Sequence, residues 1–473
     1  MRRTKIVATM GPAVASQGKI SELVAAGLDV ARLNFSHGNH DTHTQMAGWL
    51  RRASEQHKRP IALLQDIQGP KVRVGVFGDG PIELVAGETV RLVPGSQPGA
   101  AGVVPIDYEF LLEDVGVGDD VLLSDGLIRL VVEKVHDDSL TAFVTVGGQL
   151  SDHKGAAFPD TSLRVPSVTP KDEADLEFGR SLEVDYVAAS FVRTGADIDQ
   201  VRELAGGVPV IAKIELARAY ANLDDILSEA SGAMVARGDL GVQLPLETIP
   251  RVQLDILNRT NAAGRISITA TEMLESMINS PRPTRAEVTD VANAVMSGTD
   301  AVMLSGETAI GKYPVQTIEF MARICLEAER SATKPVNFLE SHRTFASATA
   351  KAAVEAAVNL DLHVIAAFTE SGSTARLLSK YRPSAEIIAF TPDPATYRRM
   401  AVYWGVSPQM LERRESTDLM LASAEKYLEK TGICETGEGV VMVAGTPPNQ
   451  QASTNLMKLH RIGERGRGSA SRR

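Results

Sequence analysis

Two strings of residues place charge where a buried strand should end: VIAKIE at 210–215 and MVARGDLG at 234–241. Each is an apolar, β-prone run that breaks into ionisable side chains at its carboxyl end. Alternate residues of a strand share a face, so Lys213 and Glu215 project together. Glu215 and Asp239 offer hard carboxylate oxygens of the kind that hold Mg2+ or Mn2+, with water and substrate completing the shell. Lys213, with Arg32 from an earlier run, would repel that ion unless an anion lay between them. The two cations therefore suit a phosphoryl group in transfer. Gly238 allows close backbone approach, and a helix starting at Asp239 would present free amides to a carboxylate. Thr271 adds a hydroxyl for positioning or for relaying a proton.

Such residues need a frame that brings strand ends together. Apolar runs with strand character recur at 6–10, 30–35, 61–66, 186–190, 210–214, 233–236, 266–271 and 301–305, and most are separated by helical periodicity, as at 19–26, 197–205, 246–263 and 284–297. Repeated strand–helix alternation of this kind predicts an α/β fold, a (β/α)8 TIM barrel. An open doubly wound sheet would ordinarily show G-x-G-x-x-G after its first strand, and none is present. In a barrel the polar strand ends converge on one face: Arg32, Asn34 and Ser36; Asp66 and Arg73; Ser190; Arg237; Thr271; Ser305 and Glu307. One charged strand end is ordinarily a solvated loop. Clusters at nearly every end are not.

The helical pattern lapses over 72–165, where short Val/Leu/Ile runs alternate with Gly, Asp and Pro. This predicts an inserted all-β lid domain after the third barrel strand. The expected domains are 1–71 (barrel, first part), 72–165 (lid), 166–335 (barrel, remainder) and 336–473 (a C-terminal α/β regulatory domain, with 463–473 disordered). A formal charge of −10 argues against a nucleic-acid surface. The only two cysteines, Cys325 and Cys434, form no C-x-x-C pair, which argues against structural zinc or a disulfide framework. No apolar run is long enough to span a membrane, and the expected location is the cytoplasm.

The motifs together resemble those of pyruvate kinases. Besides the two opening strings they are KIVATMGP (5–12), ARLNFSHG (31–38), QDIQGPKVR (65–73), ATEMLESM (270–277), RPTRAE (282–287) and DAVMLSGET (300–308). The resemblance runs from the first strand to Asn455 and implies phosphoryl transfer from phosphoenolpyruvate to ADP, giving pyruvate and ATP in glycolysis. It implies that Lys213 and Arg32 stabilise the transferring group and that Glu215 and Asp239 bind the protein-held Mg2+ or Mn2+. Thr271 would lie near the enolate carbon, with Gly238 and Asp239 on the substrate side. Asn34, His37 and Arg73 are expected toward the nucleotide, although His37 on its own reads as structural. The family is typically a homotetramer. A barrel lyase or aldolase would share the metal carboxylates, but it would not need Lys213 with Arg32 or a lid over a nucleotide. A non-catalytic sugar-phosphate sensor is the third class, and intact site residues argue against it.

The sequence also departs from the family pattern. Potassium-requiring members place the ion near the positions of Asn34, Ser36, Asp66 and Ile67 and carry glutamate where this chain has Lys71. The Lys71 ammonium could replace that charge, so K+ is expected not to be required; the plainer reading is that Lys71 pairs with a nearby carboxylate. Glu272 stands where the family has glutamine, beside an anionic substrate. In the lid, Asp125-Gly126 resembles a family turn that faces substrate on closure, and an ordinary β-turn is the other reading. Residues 156–160 depart from the family's usual sequence. Thr369, Ser371, Gly372, Ser373 and Thr374 lie between a strand and a helix, where hydroxyls and amides form an anion pocket. The resemblance makes this the effector loop, for a sugar phosphate or nucleotide. His40 and His43 read as a solvated helix start.

Overall fold

The computed structural model describes residues 2–464 except 79, 96, 160, 332–343 and 447–453. The expected boundary at 335/336, Asp160 of the divergent lid segment, and the tail from 465 onward lie outside the described residues. Eight parallel strands close into a barrel: Lys5–Thr9, Val30–Asn34, Ala62–Asp66, Tyr186–Ala189, Val210–Ile214, Gly232–Ala236, Ile266–Ala270 and Ala301–Leu304. Neighbours in sequence are neighbours in the barrel, and the last strand pairs with the first, Lys5 opposite Ala301. Predominantly apolar residues on both alternating faces suit strands buried on both sides, with polar residues gathered chiefly toward the strand ends. One set of alternating side chains packs outward against the helices, such as Ile6, Leu33, Leu63 and Ala212. The other set fills the lumen.

The chain between the third and fourth strands folds into a six-stranded sheet and a two-stranded sheet, largely antiparallel, over their own apolar core. Contrary to the sequence expectation, this insert contains a helical turn, Leu111–Asp114.

The C-terminal domain is a five-stranded sheet with its strands in the spatial order Val406–Met410, Glu386–Thr391, Val364–Phe368, Gly439–Gly445 and Thr454–Arg461. The sequence pattern over 396–404 predicts one continuous helix, but the observed helix is shorter. Pro394–Arg399 leads into a tight turn at Met400–Val402 and then the unexpected strand Val406–Met410. This domain plugs the amino-terminal end of the barrel. Lumen residues such as Val7, Ile211 and Met303 share one apolar cluster with Ile365, Leu378 and Val441. Asp300, at the start of the last barrel strand, is buried against Lys380 and lies 2.7 Å from Arg382. Arg398 pairs with Asp185 at 2.9 Å, and Lys5 donates to the Val406 carbonyl at 2.8 Å. With that end closed, the carboxyl-terminal mouth is the open end of the barrel among the described residues.

Candidate active site

Strand alternation layers the lumen. Val7, Val30, Leu64, Ala188 and Ile211 point inward, and two residues further along each strand stand Thr9, Arg32, Asp66, Ser190 and Lys213. An apolar floor therefore carries a polar layer. Asp66 is its hub, 1% exposed. One carboxylate oxygen accepts from Arg32 Nε at 2.6 Å, and the other lies 3.4 Å from both the Lys213 ammonium and Ser190 Oγ. Lys213 donates to Ser190 Oγ at 2.8 Å and pairs with Glu215 Oε1 at 2.7 Å. Ser190 Oγ donates onward to the Ile67 carbonyl. Arg32 is also held by Thr9 Oγ1 at 2.9 Å.

The charges explain the packing. Burial disfavours ionised Asp66, but Arg32 and Lys213 outweigh it and hold the carboxyl below its ordinary range. Burial likewise opposes the Lys213 charge, yet Asp66 and Glu215 push its pKa up to about 12, so it is an ammonium at neutral pH. Glu215 goes the other way. Burial raises its pKa, the nearby Asp239 adds to the rise, and Lys213 only partly opposes them. Its second oxygen accepts from the Phe191 amide at 2.7 Å. Glu215 and Asp239 line the same cavity, and their hard oxygens are of the kind that could hold a small divalent cation.

Asp239 lies in the first turn of a helix, Arg237–Gln243, which begins two residues earlier than expected. The Gly238 amide is not free: it donates to Thr271 Oγ1 at 2.9 Å, and that hydroxyl donates to the Ala270 carbonyl at 2.7 Å. Thr271 and Glu272 both have left-handed backbone, φ +64° and +51°, a costly conformation for a β-branched residue. Arg237 holds the strained turn. Its guanidinium donates to the carbonyls of Ala270 at 3.2 Å and Thr271 at 2.6 Å and pairs with Asp290 at 2.6 Å. The Glu272 side chain is exposed, so its charge is solvated.

The remaining sequence candidates divide. Asn34 Oδ1 accepts from the Ser36 amide at 3.1 Å, Asn34 is in register with Asp66, and Ile67 is buried. The Lys71 ammonium goes elsewhere, to Asp239 at 3.1 Å and Asp125 at 3.7 Å. Asp125 thus reaches the barrel mouth from the inserted domain, and a cavity of about 130 Å3 between the two is lined by Lys71, Asp125, Phe158, Glu215 and Asp239. Arg73 is at the base of the insert, donating to the His153 carbonyl at 2.9 Å. The His37 side chain is exposed, while its amide donates to the Asn34 carbonyl at 3.2 Å.

His40 and His43 are not the simple solvated start expected. His40 stacks on Phe178 and bonds Asp175 at 2.8 Å, while His43 stacks on Phe35. They line a second cavity, of about 380 Å3, with Gly38 and Lys171. In the C-terminal domain, Thr369 Oγ1 accepts from the Gly372 amide at 2.9 Å, and Gly372 has φ +84° ahead of the helix Ser373–Lys380. Ser371 and Ser373 are exposed, whereas Thr374 is buried against Thr454.

Thr9, the link between Arg237 and the Thr271 turn, and the Lys171–Asp175–His40 wall were not singled out from sequence. Alternation from Val7 was the available signal for Thr9. The other two join residues far apart in the chain.

Comparison with known proteins agrees with this geometry. Residues 1–318 match the family model for the pyruvate kinase barrel domain, and residues 347–460 match that for the pyruvate kinase alpha/beta domain. A pyruvate kinase of Geobacillus stearothermophilus is 42% identical over 98% of this chain and 81% of the relative. One from Mycobacterium tuberculosis is 42% identical over 98% of this chain and 99% of the relative. The crystal structure of a pyruvate kinase from Cryptosporidium parvum superposes with a TM-score of 0.91 at 35% identity, covering 98% of this chain and 96% of that one. The polar layer, the two carboxylates at the mouth and these full-length similarities have one reading: the chain belongs to the pyruvate kinase family of phosphotransferases.

Proposed function

We propose that the chain transfers the phosphoryl group of phosphoenolpyruvate to ADP with the help of a divalent ion, forming pyruvate and ATP. The observation that carries this is the Arg32–Asp66–Lys213–Glu215 layer with Asp239 beside it. Lys213 is held as an ammonium between Asp66 and Glu215, Arg32 is fixed by Asp66 and Thr9, and Glu215 and Asp239 line the cavity beneath the inserted domain. Arg32 and Lys213 are suited to neutralise the phosphoryl oxygens as charge builds in transfer. Glu215 and Asp239 would hold Mg2+ or Mn2+, and the bound ion would supply a hard Lewis-acid contact to substrate oxygens. Thr271, fixed by Gly238 and Ala270, offers a positioned hydroxyl on the substrate side. Asn34, His37 and Arg73 remain assigned to the nucleotide, with the 380 Å3 cavity beside residues 34–38 as its adjoining space.

Four carboxylates, Asp66, Glu215, Asp239 and, from the inserted domain, Asp125, meet three cations, Arg32, Lys213 and Lys71. A glutamate at 71 would leave this set two charges more negative, a deficit a monovalent cation could offset. The lysine supports catalysis without K+, acting on Asp239 rather than inside the cluster of Asn34, Ser36 and Ile67.

The Thr369–Thr374 loop supports regulation by a sugar phosphate or nucleotide. A Thr369→Glu variant should keep basal turnover and lose activation; an unchanged activation curve would refute the pocket. A cytoplasmic homotetramer is the assembly proposed by analogy with the family. No helix among the described residues is long and apolar enough to cross a membrane.

The test of the reaction is pyruvate release by the purified chain with phosphoenolpyruvate and Mg2+, with and without ADP. Release that depends on ADP and yields ATP is expected. Release with free phosphate in the absence of ADP would sink the proposal.

A further inference from the structure

We propose that Asp125, at the tip of the inserted domain, sets the affinity of Asp239 for a divalent cation by acting through Lys71. This rests on the reading of Asp239 as an ion-binding carboxylate. The Lys71 ammonium is shared between the two aspartates, 3.1 Å from Asp239 Oδ1 and 3.7 Å from Asp125 Oδ1. Its path is made by Gly155, where an added methyl would sit 3.1 Å from Lys71 Cε and 3.3 Å from Asp125 Oδ1.

The Asp125 carboxylate is aimed by its backbone. Ser124, Asp125 and Gly126 are successive left-handed residues, with φ +52°, +56° and +86°. The Ser124 amide ties the turn to the Gly155 carbonyl at 3.0 Å. The next residue, Gly126, faces Val242 on the helix that carries Asp239, with room for a methyl at 3.6 Å. The tip therefore meets the Asp239 helix directly, and it meets the Asp239 carboxylate through one shared cation.

A cation at 3.1 Å from a ligand carboxylate opposes the arrival of a second, doubly charged one. Every share of Lys71 taken by Asp125 weakens that opposition. With the inserted domain lifted, Lys71 falls to Asp239 alone and the ion binds less well; with the domain down, Asp239 is partly released. Coupling of this kind is reciprocal, so a divalent ion alone favours the closed domain. Asp125 is two-thirds exposed, and partly solvated pairs carry modest energies, which sets the expected effect at about threefold.

Mn2+ alone is the probe, with its binding to the full chain in sodium buffer read by the free-ion paramagnetic resonance signal. Asp125→Asn keeps a residue that tolerates left-handed backbone. It should weaken Mn2+ binding about threefold when Lys71 is present. In a Lys71→Met background, where Mn2+ should bind tighter than in the parent, the same change should have no effect. An unchanged Mn2+ affinity in Asp125→Asn, or an equal loss in both backgrounds, would overturn the coupling. The Asp239→Asn control separates the two levels: full Mn2+ affinity there would overturn the ion-site reading, and this inference with it.

Discussion

Reversing the charge at position 71 should make the enzyme dependent on potassium. Lys71 lies 3.1 Å from Asp239, with side chains 27% and 34% exposed. At that spacing a unit pair is worth about 1 kcal/mol in water and several times more at the effective dielectric of a protein surface. Partial exposure places the value at roughly 1–2 kcal/mol. Lys71→Glu replaces attraction by repulsion, a change of two charge units and roughly 2–4 kcal/mol. With Mg2+ saturating, so that tighter ion binding on loss of Lys71 does not enter, the expected consequence in sodium-only buffer is a fall in kcat/KM for phosphoenolpyruvate of about 30- to 1000-fold. Added K+ should recover most of it by restoring positive charge near the mouth. Lys71→Met, which removes one charge unit, should fall between the parent and the glutamate variant. Direct determination of pyruvate avoids coupling enzymes with their own ion requirements. The parent chain should turn over equally in sodium and potassium. A parent that strictly requires K+, or a Lys71→Glu variant as active in sodium as the parent, would refute the reasoning.

Two further outcomes follow from buried charges outside the reacting layer. Arg237→Gln removes the donors that hold the strained Thr271–Glu272 turn, so kcat should fall about tenfold and the barrel's melting temperature by about 2–6 °C, measured by calorimetry. An unchanged kcat would show that the turn does not need its clamp. Asp300→Ala leaves Lys380 and Arg382 buried without their carboxylate, at a cost of about 3–5 kcal/mol. The C-terminal domain should then melt separately from the barrel, and a single unaltered transition would contradict the docking role.

The same aspartate gives a sign for acid sensitivity. Burial opposes its ionisation, but Lys380 and Arg382 outweigh burial and hold Asp300 below its ordinary 3.8. The folded state therefore binds fewer protons than the unfolded one, and the stabilisation is present above about 3.8 and lost as pH falls through the folded value.

The barrel was legible because strands buried on both faces read as unbroken apolar runs, and each observed strand lies within a residue or so of its run. Lys213 and Glu215 were legible for a related reason, since alternation alone puts them on one face. Asp66 as the hub was not, because its partners Arg32, Ser190 and Lys213 come from three other strands and meet it only once the barrel closes. The strand Val406–Met410 was hidden by Pro408 and by polar Ser407 and Gln409. It lies at the edge of its sheet, where a missing amide donor is tolerated. Asp239 was assigned correctly to a helix start, but the two-residue offset changed the chemistry of its neighbour. Gly238 commits its amide to Thr271 and positions that hydroxyl, so this one amide is not offered to substrate.

The central claim is that the Lys213 layer at the barrel mouth performs phosphoryl transfer, and phosphorus-31 resonance on the purified chain tests it most directly. With phosphoenolpyruvate, ADP and Mg2+, the parent should convert the phosphoenolpyruvate signal into the γ-phosphorus of ATP one for one. Lys213→Met, folded by circular dichroism, should lose at least about a thousandfold in rate, since it removes the cation facing the transferring group. Transfer at near-parent rate in Lys213→Met, or phosphorus appearing as free phosphate in the parent, would contradict the account.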